Sequence, residues 1–234
     1  MQLVPFLEDE IFLKEISKVL SIADKASEDQ AQKLFKNSID PFSAVFDAAR
    51  QHIPLSLWLE FEKVRQGQKT LQNKLGEFHQ AILGNVSGWE NLGTGNLIDV
   101  KNDTKKIIAE IKNKHNTTKG SDKISIYDNL KFAIKNKYKG YIAYYVEVIP
   151  KNKNIYDKEF VPSDNKTKSR RREVKNIRVI DGKSFYALAT GIPDVLLLMY
   201  KALPKAIGQI MNIPMETILN DNLFLELFEK SYNK

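Results

Sequence analysis

Between Asn96 and Lys114 the chain reads N-L-I-D-V-K-N-D-T-K-K-I-I-A-E-I-K-N-K. An acid, Asp99, stands near the end of one apolar run, and a second acid, Glu110, lies inside the next with Lys112 two residues on. Side chains alternate faces along a β-strand, so Glu110 and Lys112 share one face while Ala109 and Ile111 share the other. Two acids and a lysine at the rim of an apolar sheet are costly to keep there unless they bind something charged. The economical ligand is a divalent metal that assists cleavage of a phosphodiester.

The triplet acid-x-lysine is by itself common, and the chain holds six: Asp99/Lys101, Asp103/Lys105, Glu110/Lys112, Asp164/Lys166, Glu173/Lys175 and Asp181/Lys183. Only Glu110/Lys112 sits inside a hydrophobic strand with an acid in the preceding strand of a hairpin. Asp99 and Glu110 are 11 residues apart, which lets that hairpin fold one back toward the other. Glu173/Lys175 is the best rival, but its upstream acid, Asp164, falls in a polar stretch. Pro193-Asp194 is a decoy, because no strand-borne Glu-x-Lys follows it.

Charge dictates the chemistry of such a set. Two neighbouring carboxylates repel, so without metal one should hold its proton to higher pH. A hard cation relieves the repulsion, and Mg²⁺ takes one or two carboxylates plus waters and phosphate oxygens. Asp99, Glu110 and the backbone carbonyl of Ile111 are the expected metal ligands. Lys112 then either orients the attacking water or stabilises the pentacovalent transition state.

The surrounding elements must position these residues. Phe12, Ile16, Val19 and Leu20 recur at helical spacing, and Asp40-Pro41 supplies an N-cap and an N1 proline for a second helix. A third begins near Pro54 and runs to about Leu83, with a break expected near Gly67; Leu71, Leu75, Phe78 and Ile82 form its apolar stripe. Strands follow at roughly 86–90, 96–101 and 105–113, the last two joined by a turn at Asn102-Asp103. Ser121-Asp122 starts a helix carrying Ile126, Leu130, Ala133 and Ile134, and residues 140–149 form a strong central strand closed by Pro150. The order from about residue 68 to 149 is therefore helix, three strands, helix, strand. The fold class is α/β (α+β), with helical additions at both termini. A single domain is expected: a helical region at 1–66, a catalytic core at 67–150, a basic recognition segment at 151–191, and C-terminal helices at 192–234 divided by Pro204 and Pro214.

Composition narrows the partners. The apolar fraction, 42%, is that of a folded soluble protein, and no apolar run reaches the roughly 18–20 residues of a membrane span. The acidic start, Met1 to Glu10, lacks the basic opening of a signal peptide, and without cysteine there is no disulfide, so a cytoplasmic protein with no membrane partner is expected. The three histidines are too scattered for a structural zinc site. Net charge is +7, yet residues 131–183 alone hold 15 Lys/Arg against 6 Asp/Glu. A basic excess concentrated in this way is the footprint of a polyanion partner.

Taken together, Asp99, Glu110-Ile111-Lys112 and the helix–strand order resemble the PD-(D/E)xK nuclease superfamily, with Ile98 in place of the nominal proline. The longer string Glu110-Ile-Lys-Asn-Lys-His-Asn-Thr-Thr118 is similar to type II restriction endonucleases that cut GGNCC-like sites. Asn73-Lys-Leu-Gly-Glu-Phe-His-Gln80 and Phe185-Tyr-Ala-Leu-Ala-Thr-Gly191 support that likeness, which spans roughly residues 55–205.

The resemblance implies a restriction-endonuclease-like core and a Mg²⁺-dependent, sequence-specific double-strand DNA endonuclease, with Asp99, Glu110 and Lys112 catalytic. It also implies a homodimer matched to a palindromic site and a companion DNA methyltransferase. An acid on the preceding helix often faces the metal in such enzymes; Glu77 lies off the apolar stripe and is the candidate, with His79 and Gln80 beside it. Lys114, His115 and Asn116 follow the catalytic strand and would lie along the bound DNA, as would Gln80. Lys166, Lys168, Arg170, Arg171 and Arg172 form the densest basic cluster, from which one or two arginines would read guanine edges while the rest touch phosphates. Two alternatives stay open: a repair or junction-resolving nuclease with the same chemistry, and a basic DNA-binding protein without catalysis.

Overall fold

The computed structural model describes residues 2–28, 39–93, 95–164, 168–214, 219 and 221–232. The chain opens with three helices, α1 (Asp9–Glu28), α2 (Pro41–Arg50) and α3 (Leu55–Gly84). Asp40 caps α2 through its side chain, which accepts from the Phe42 and Ser43 N–H groups, and Pro41 occupies the first turn. No break occurs near Gly67: α3 runs continuously for 30 residues. One glycine costs only about 1 kcal/mol in a helix, too little to interrupt so long an amphipathic segment. Phe78 and Ile82, at the inner end of its apolar stripe, are buried.

Two compact units emerge, one of Met1–Ile16 with Gly76–Lys234 and one of Ser17–Leu75. Their boundaries fall inside α1 and α3, each of which runs on across them. In the smaller unit, Ala44, Ala48 and Trp58 form a core joined by Ile39, Ile53 and Leu59. The Trp58 indole N–H donates to Asp47 at 3.0 Å.

The larger unit is built on a six-stranded mixed sheet. Its strands are β1 (Glu90–Asn91), β2 (Val100–Asn102), β3 (Ile107–Lys114), β4 (Ile142–Ile149), β5 (Asp157–Glu159) and β8 (Ile177–Asp181), while β6 (Ser163–Asp164) and β7 (Ser169–Arg170) form a separate hairpin. The spatial order is β1-β2-β3-β4-β8-β5. β1 pairs antiparallel with β2 and β2 with β3, whereas β3, β4 and β8 are mutually parallel, and β5 returns antiparallel on the far edge. The parallel step from β3 to β4 needs a crossover, and α4 (Gly120–Asn136) supplies it. The order helix, three strands, helix, strand is therefore present as α3, β1–β3, α4, β4, and the fold is α/β.

The strand expected at 86–90 shrinks to β1, because Val86 to Trp89 closes a turn in which Trp89 N–H donates to the Val86 carbonyl and Gly88 takes a φ of +81°. The basic segment 151–191 is not all loop. Its second half contributes β8 to the centre of the sheet and α5 (Gly182–Thr190) beneath it. Gly182 is required there: a Cβ would meet the Val148 carbonyl oxygen at 2.4 Å. Pro204 does not divide the C-terminal helices, since it lies inside α6 (Val195–Met211); α7 (Leu223–Tyr232) follows. Met199 and Ala206, on either side of it, are buried.

One face of the sheet, Ile108, Ala143, Tyr145, Ile177 and Val179, packs on Ile126, Tyr127 and Leu130 of α4. The opposite face receives α5, where Phe185 meets the rings of Tyr144 at 5.8 Å and Trp89 at 5.4 Å. Glu110 and Lys112, in step with Ile108, therefore belong to the α4 face, at the carboxyl end of β3.

Candidate active site

Asp99 stands at the mouth of β2, where its backbone N–H donates to the Ala109 carbonyl at 2.9 Å. That anchor turns the carboxylate across the hairpin, and its Oδ2 accepts from the Ile111 N–H at 2.6 Å. The β2–β3 hairpin does bring Asp99 back to Glu110. It is closed by a turn in which Asn102 accepts from the Lys105 N–H at 2.7 Å and Lys106 adopts a φ of +52°. The Lys112 ammonium lies 2.7 Å from Glu110 Oε1.

The electrostatics follow from this crowding. Burial, and then the negative charge of Glu110, push the Asp99 carboxyl up to about 6; the Ile111 N–H, Lys112 and a hydrogen bond from Gln80 pull the other way without prevailing. Burial opposes the charge of Lys112, but Glu110, Asp99 and Asp122 outweigh it and hold the ammonium above its ordinary range. Two carboxylates thus face one ammonium, and Asp99 holds its proton up to about pH 6, well above an ordinary aspartate. Such a pair accepts a hard cation readily.

Gln80, on the last turns of α3, bonds to Asp99 rather than standing apart from the acids. His79, beside it, turns to the far side and shares a hydrogen bond with the Tyr186 hydroxyl at 2.8 Å. Burial drives its pKa down to about 4, so it is a neutral packing residue. Glu77 is exposed one turn earlier on α3. Among the described residues, no group of three or more His, Cys, Asp or Glu side chains converges as a metal site. The donors on hand are the Asp99 and Glu110 carboxylates with the Ile111 carbonyl, all hard oxygens.

The DNA-facing candidates lie on two segments. Lys114 continues the Glu110–Lys112 face and is half-buried; the His115 N–H donates to the Ile149 carbonyl at 3.0 Å, and Asn116 is exposed. Lys166 falls outside the described residues. Lys168, Arg170 and Arg172 are exposed around the β6–β7 hairpin. Arg171 is engaged within the protein, bonding Asp128 of α4 at 2.8 Å and Asp164 of β6 at 3.5 Å. The Tyr127 hydroxyl also donates to the Arg172 carbonyl, so the hairpin is tied to α4, the helix that follows β3.

Sequence reasoning missed a second polar group on β4. Glu147 is buried, pairs in register with Lys112, accepts from Lys123 of α4 at 2.5 Å and from the Tyr156 hydroxyl. Its signal was present in Tyr144-Tyr-Val-Glu-Val148: an acid inside an apolar strand, as at Glu110.

The family described as Eco47II restriction endonuclease matches residues 4–212, so the likeness extends N-terminally beyond the expected 55–205. A curated relative, "Type II restriction enzyme Eco47II" from Escherichia coli, is 41% identical over 218 residues, covering 91% of this chain and 90% of that protein. A second, "Type II restriction enzyme Sau96I" from Staphylococcus aureus, is 32% identical over 206 residues, covering 86% of this chain and 78% of that one. No solved structure matches the chain.

Proposed function

The chain belongs to the Eco47II restriction endonuclease family and is a sequence-specific deoxyribonuclease; we propose that it hydrolyses double-stranded DNA at a GGNCC-like site, using Asp99, Glu110 and Lys112 with Mg²⁺. The observation that carries the reading is the meeting of the Asp99 and Glu110 carboxylates, with Lys112 2.7 Å from Glu110, at one end of a buried parallel strand.

Asp99, Glu110 and the Ile111 carbonyl would hold the metal, which supplies charge to stabilise the phosphate as negative charge builds on it. The Ile111 N–H fixes the direction of the Asp99 carboxylate, and Gln80 steadies it from α3. Glu110 holds Lys112 at the site in the absence of substrate. Lys112 keeps its proton, so it acts as a fixed positive charge on the scissile phosphate rather than as a base. Lys114, His115 and Asn116 extend the same edge along the DNA backbone. Lys168, Arg170 and Arg172 are the exposed cations for phosphate and guanine contacts, with Lys166 in the same basic cluster; Arg171 fixes the hairpin that carries them. A homodimer would place two such sites across a palindrome, and an active enzyme of this kind requires a DNA methyltransferase to protect its host.

The test is digestion of unmethylated phage DNA with Mg²⁺ and with EDTA in parallel, followed by sequencing of the ends. Discrete Mg²⁺-dependent fragments sharing one terminal sequence are expected. Glu110→Ala and Lys112→Ala should each cut cleavage to a small residual rate while gel-shift binding to the same DNA persists. Full cleavage by either variant would sink the assignment.

A further inference from the structure

Beside the site lies a second charged pair that the chemistry above does not use. β3 and β4 run parallel with Glu110 opposite Tyr145 and Lys112 opposite Glu147. Side chains in register on adjacent parallel strands share a face, and the strands are only about 4.8 Å apart. Glu147 is 4% exposed and Tyr145 is fully buried, so both stand behind the half-exposed catalytic pair. Lys123, from the first turn of α4, covers this back row. Its ammonium bonds Glu147 at 2.5 Å and lies 5.5 Å from the centre of the Tyr145 ring.

From this geometry we propose that Lys123 is a positioning residue whose charge occupies Glu147 and so keeps Lys112 at the scissile phosphate. The argument is competition for one ammonium. A buried carboxylate with no cation is strongly disfavoured, and the nearest flexible cation would move to it. Lys112 is such a cation, one strand away and on the same face, held forward by its contact with Glu110 and by the charges of Asp99 and Asp122. The second oxygen of Glu147 is bound by the Tyr156 hydroxyl, which is neutral and cannot discharge it. Lys123 satisfies Glu147 from the α4 side, where it does not compete for the site. Lys112 is then left with Glu110 and, when DNA binds, with the phosphate.

This inference rests on the assignment of Lys112 as catalytic, and its test separates the two. Single-turnover cleavage at saturating DNA is measured with Mg²⁺, DNA affinity by gel shift with Ca²⁺, and folding by thermal melting. Lys123→Met should lower the single-turnover rate by roughly 10- to 100-fold, the cost of misplacing a catalytic group, while affinity holds. Adding Glu147→Gln in the same chain removes the competing charge and should restore most of the rate; Lys123→Arg should retain it. In a Lys112→Ala background, Lys123→Met should change the residual rate by no more than about twofold, the scatter of uncoupled sites. A double variant as slow as Lys123→Met, or a loss of affinity in step with rate, would overturn the proposal. The latter would make Lys123 a phosphate contact. If Lys123→Met does not fold, the Arg variant and the double variant still decide the matter, since both keep Glu147 free of uncompensated charge. A fully active Lys112→Ala enzyme would instead remove the catalytic assignment itself.

Discussion

Asp99→Asn should make the metal-free protein more stable at neutral pH while destroying its activity. The Asp99 carboxyl sits at about 6 in the folded chain against 3.8 for an ordinary aspartate, because it is buried and faces Glu110. Between those values the folded protein holds a proton that the unfolded chain has released. Unfolding then releases a proton, so rising pH favours the unfolded state, and the loss is complete above the folded value. A shift of this size corresponds to at most about 3 kcal/mol. Asparagine keeps the shape, and its side-chain oxygen can still accept from the Ile111 N–H, but it carries no charge to bury. In EDTA near pH 8, Asp99→Asn should therefore melt above the parent protein, by roughly 2–4 °C per kcal/mol recovered in a chain of this size. The two should converge only as pH falls below about 3.8, where Asp99 is protonated in the folded and the unfolded chain alike. Added Mg²⁺ should raise the melting temperature of the parent and not of the variant. Paired thermal melts across this pH range supply the measurement. A gap between the two proteins that does not change with pH would refute the electrostatic account, and a less stable variant near pH 8 would show that the charge is already compensated within the chain.

Gly182→Ala should destabilise by about 1–3 kcal/mol or prevent folding, since its Cβ would strike the β4 backbone; Gly76→Ala, with no atom within 4 Å of the new Cβ, should gain up to about 1 kcal/mol, and urea melts compare the two. Tyr186→Phe removes the partner of His79 and should cost about 1–3 kcal/mol in the same assay. His79 itself sits near 4, below its unfolded value, so its contribution is present at neutral pH and lost as pH falls through about 6 toward 4, a loss that His79→Gln should abolish in acid melts. Neutralising Arg170 or Arg172 should weaken DNA binding and flatten its dependence on salt by close to one counterion each, whereas Arg171→Ala should also loosen the β6–β7 hairpin, seen as faster amide exchange there.

Strand β3 was legible because its pattern is unusual: an acid and a lysine in phase within an apolar run, with an acid one hairpin earlier. The same phase rule assigned Glu110 and Lys112 to one face, and the Asp40-Pro41 start of α2 was legible from capping chemistry. What escaped was long-range. Ile177-Arg-Val-Ile-Asp181 is a short central strand flanked by basic loops, and five residues of strand chemistry are outweighed locally by the surrounding lysines and arginines. Its place beside β4 is decided by the burial of Ile177 and Ile180, which only the assembled sheet provides. Pro204 signalled a break that packing overrode. Arg171 reads in the sequence as one of five similar cations, yet Asp128, 43 residues away, makes it structural. Spacing cannot show a partner at that distance.

The carboxyl ends of the three parallel strands carry one charged group each in a single row, Lys112, Glu147 and Asp181. Ligands of open α/β sheets gather at such ends, so each charge must be explained. Asp181 is fully buried, caps α5 by accepting from the Ser184 N–H at 3.0 Å, and also accepts from the Tyr156 N–H at 2.8 Å. Glu147 is matched by Lys123 and Tyr156. Both are satisfied by the protein and have no call on a ligand. At β3 the balance differs: Lys112 answers Glu110, while Asp99, across the hairpin, accepts from the Ile111 N–H and Gln80. Among the described residues, two carboxylates against one ammonium leave a net negative charge there. On the proposed mechanism a divalent ion arriving with a DNA phosphate would complete that balance, and Asp99 would be costly to the empty fold yet required by the working enzyme.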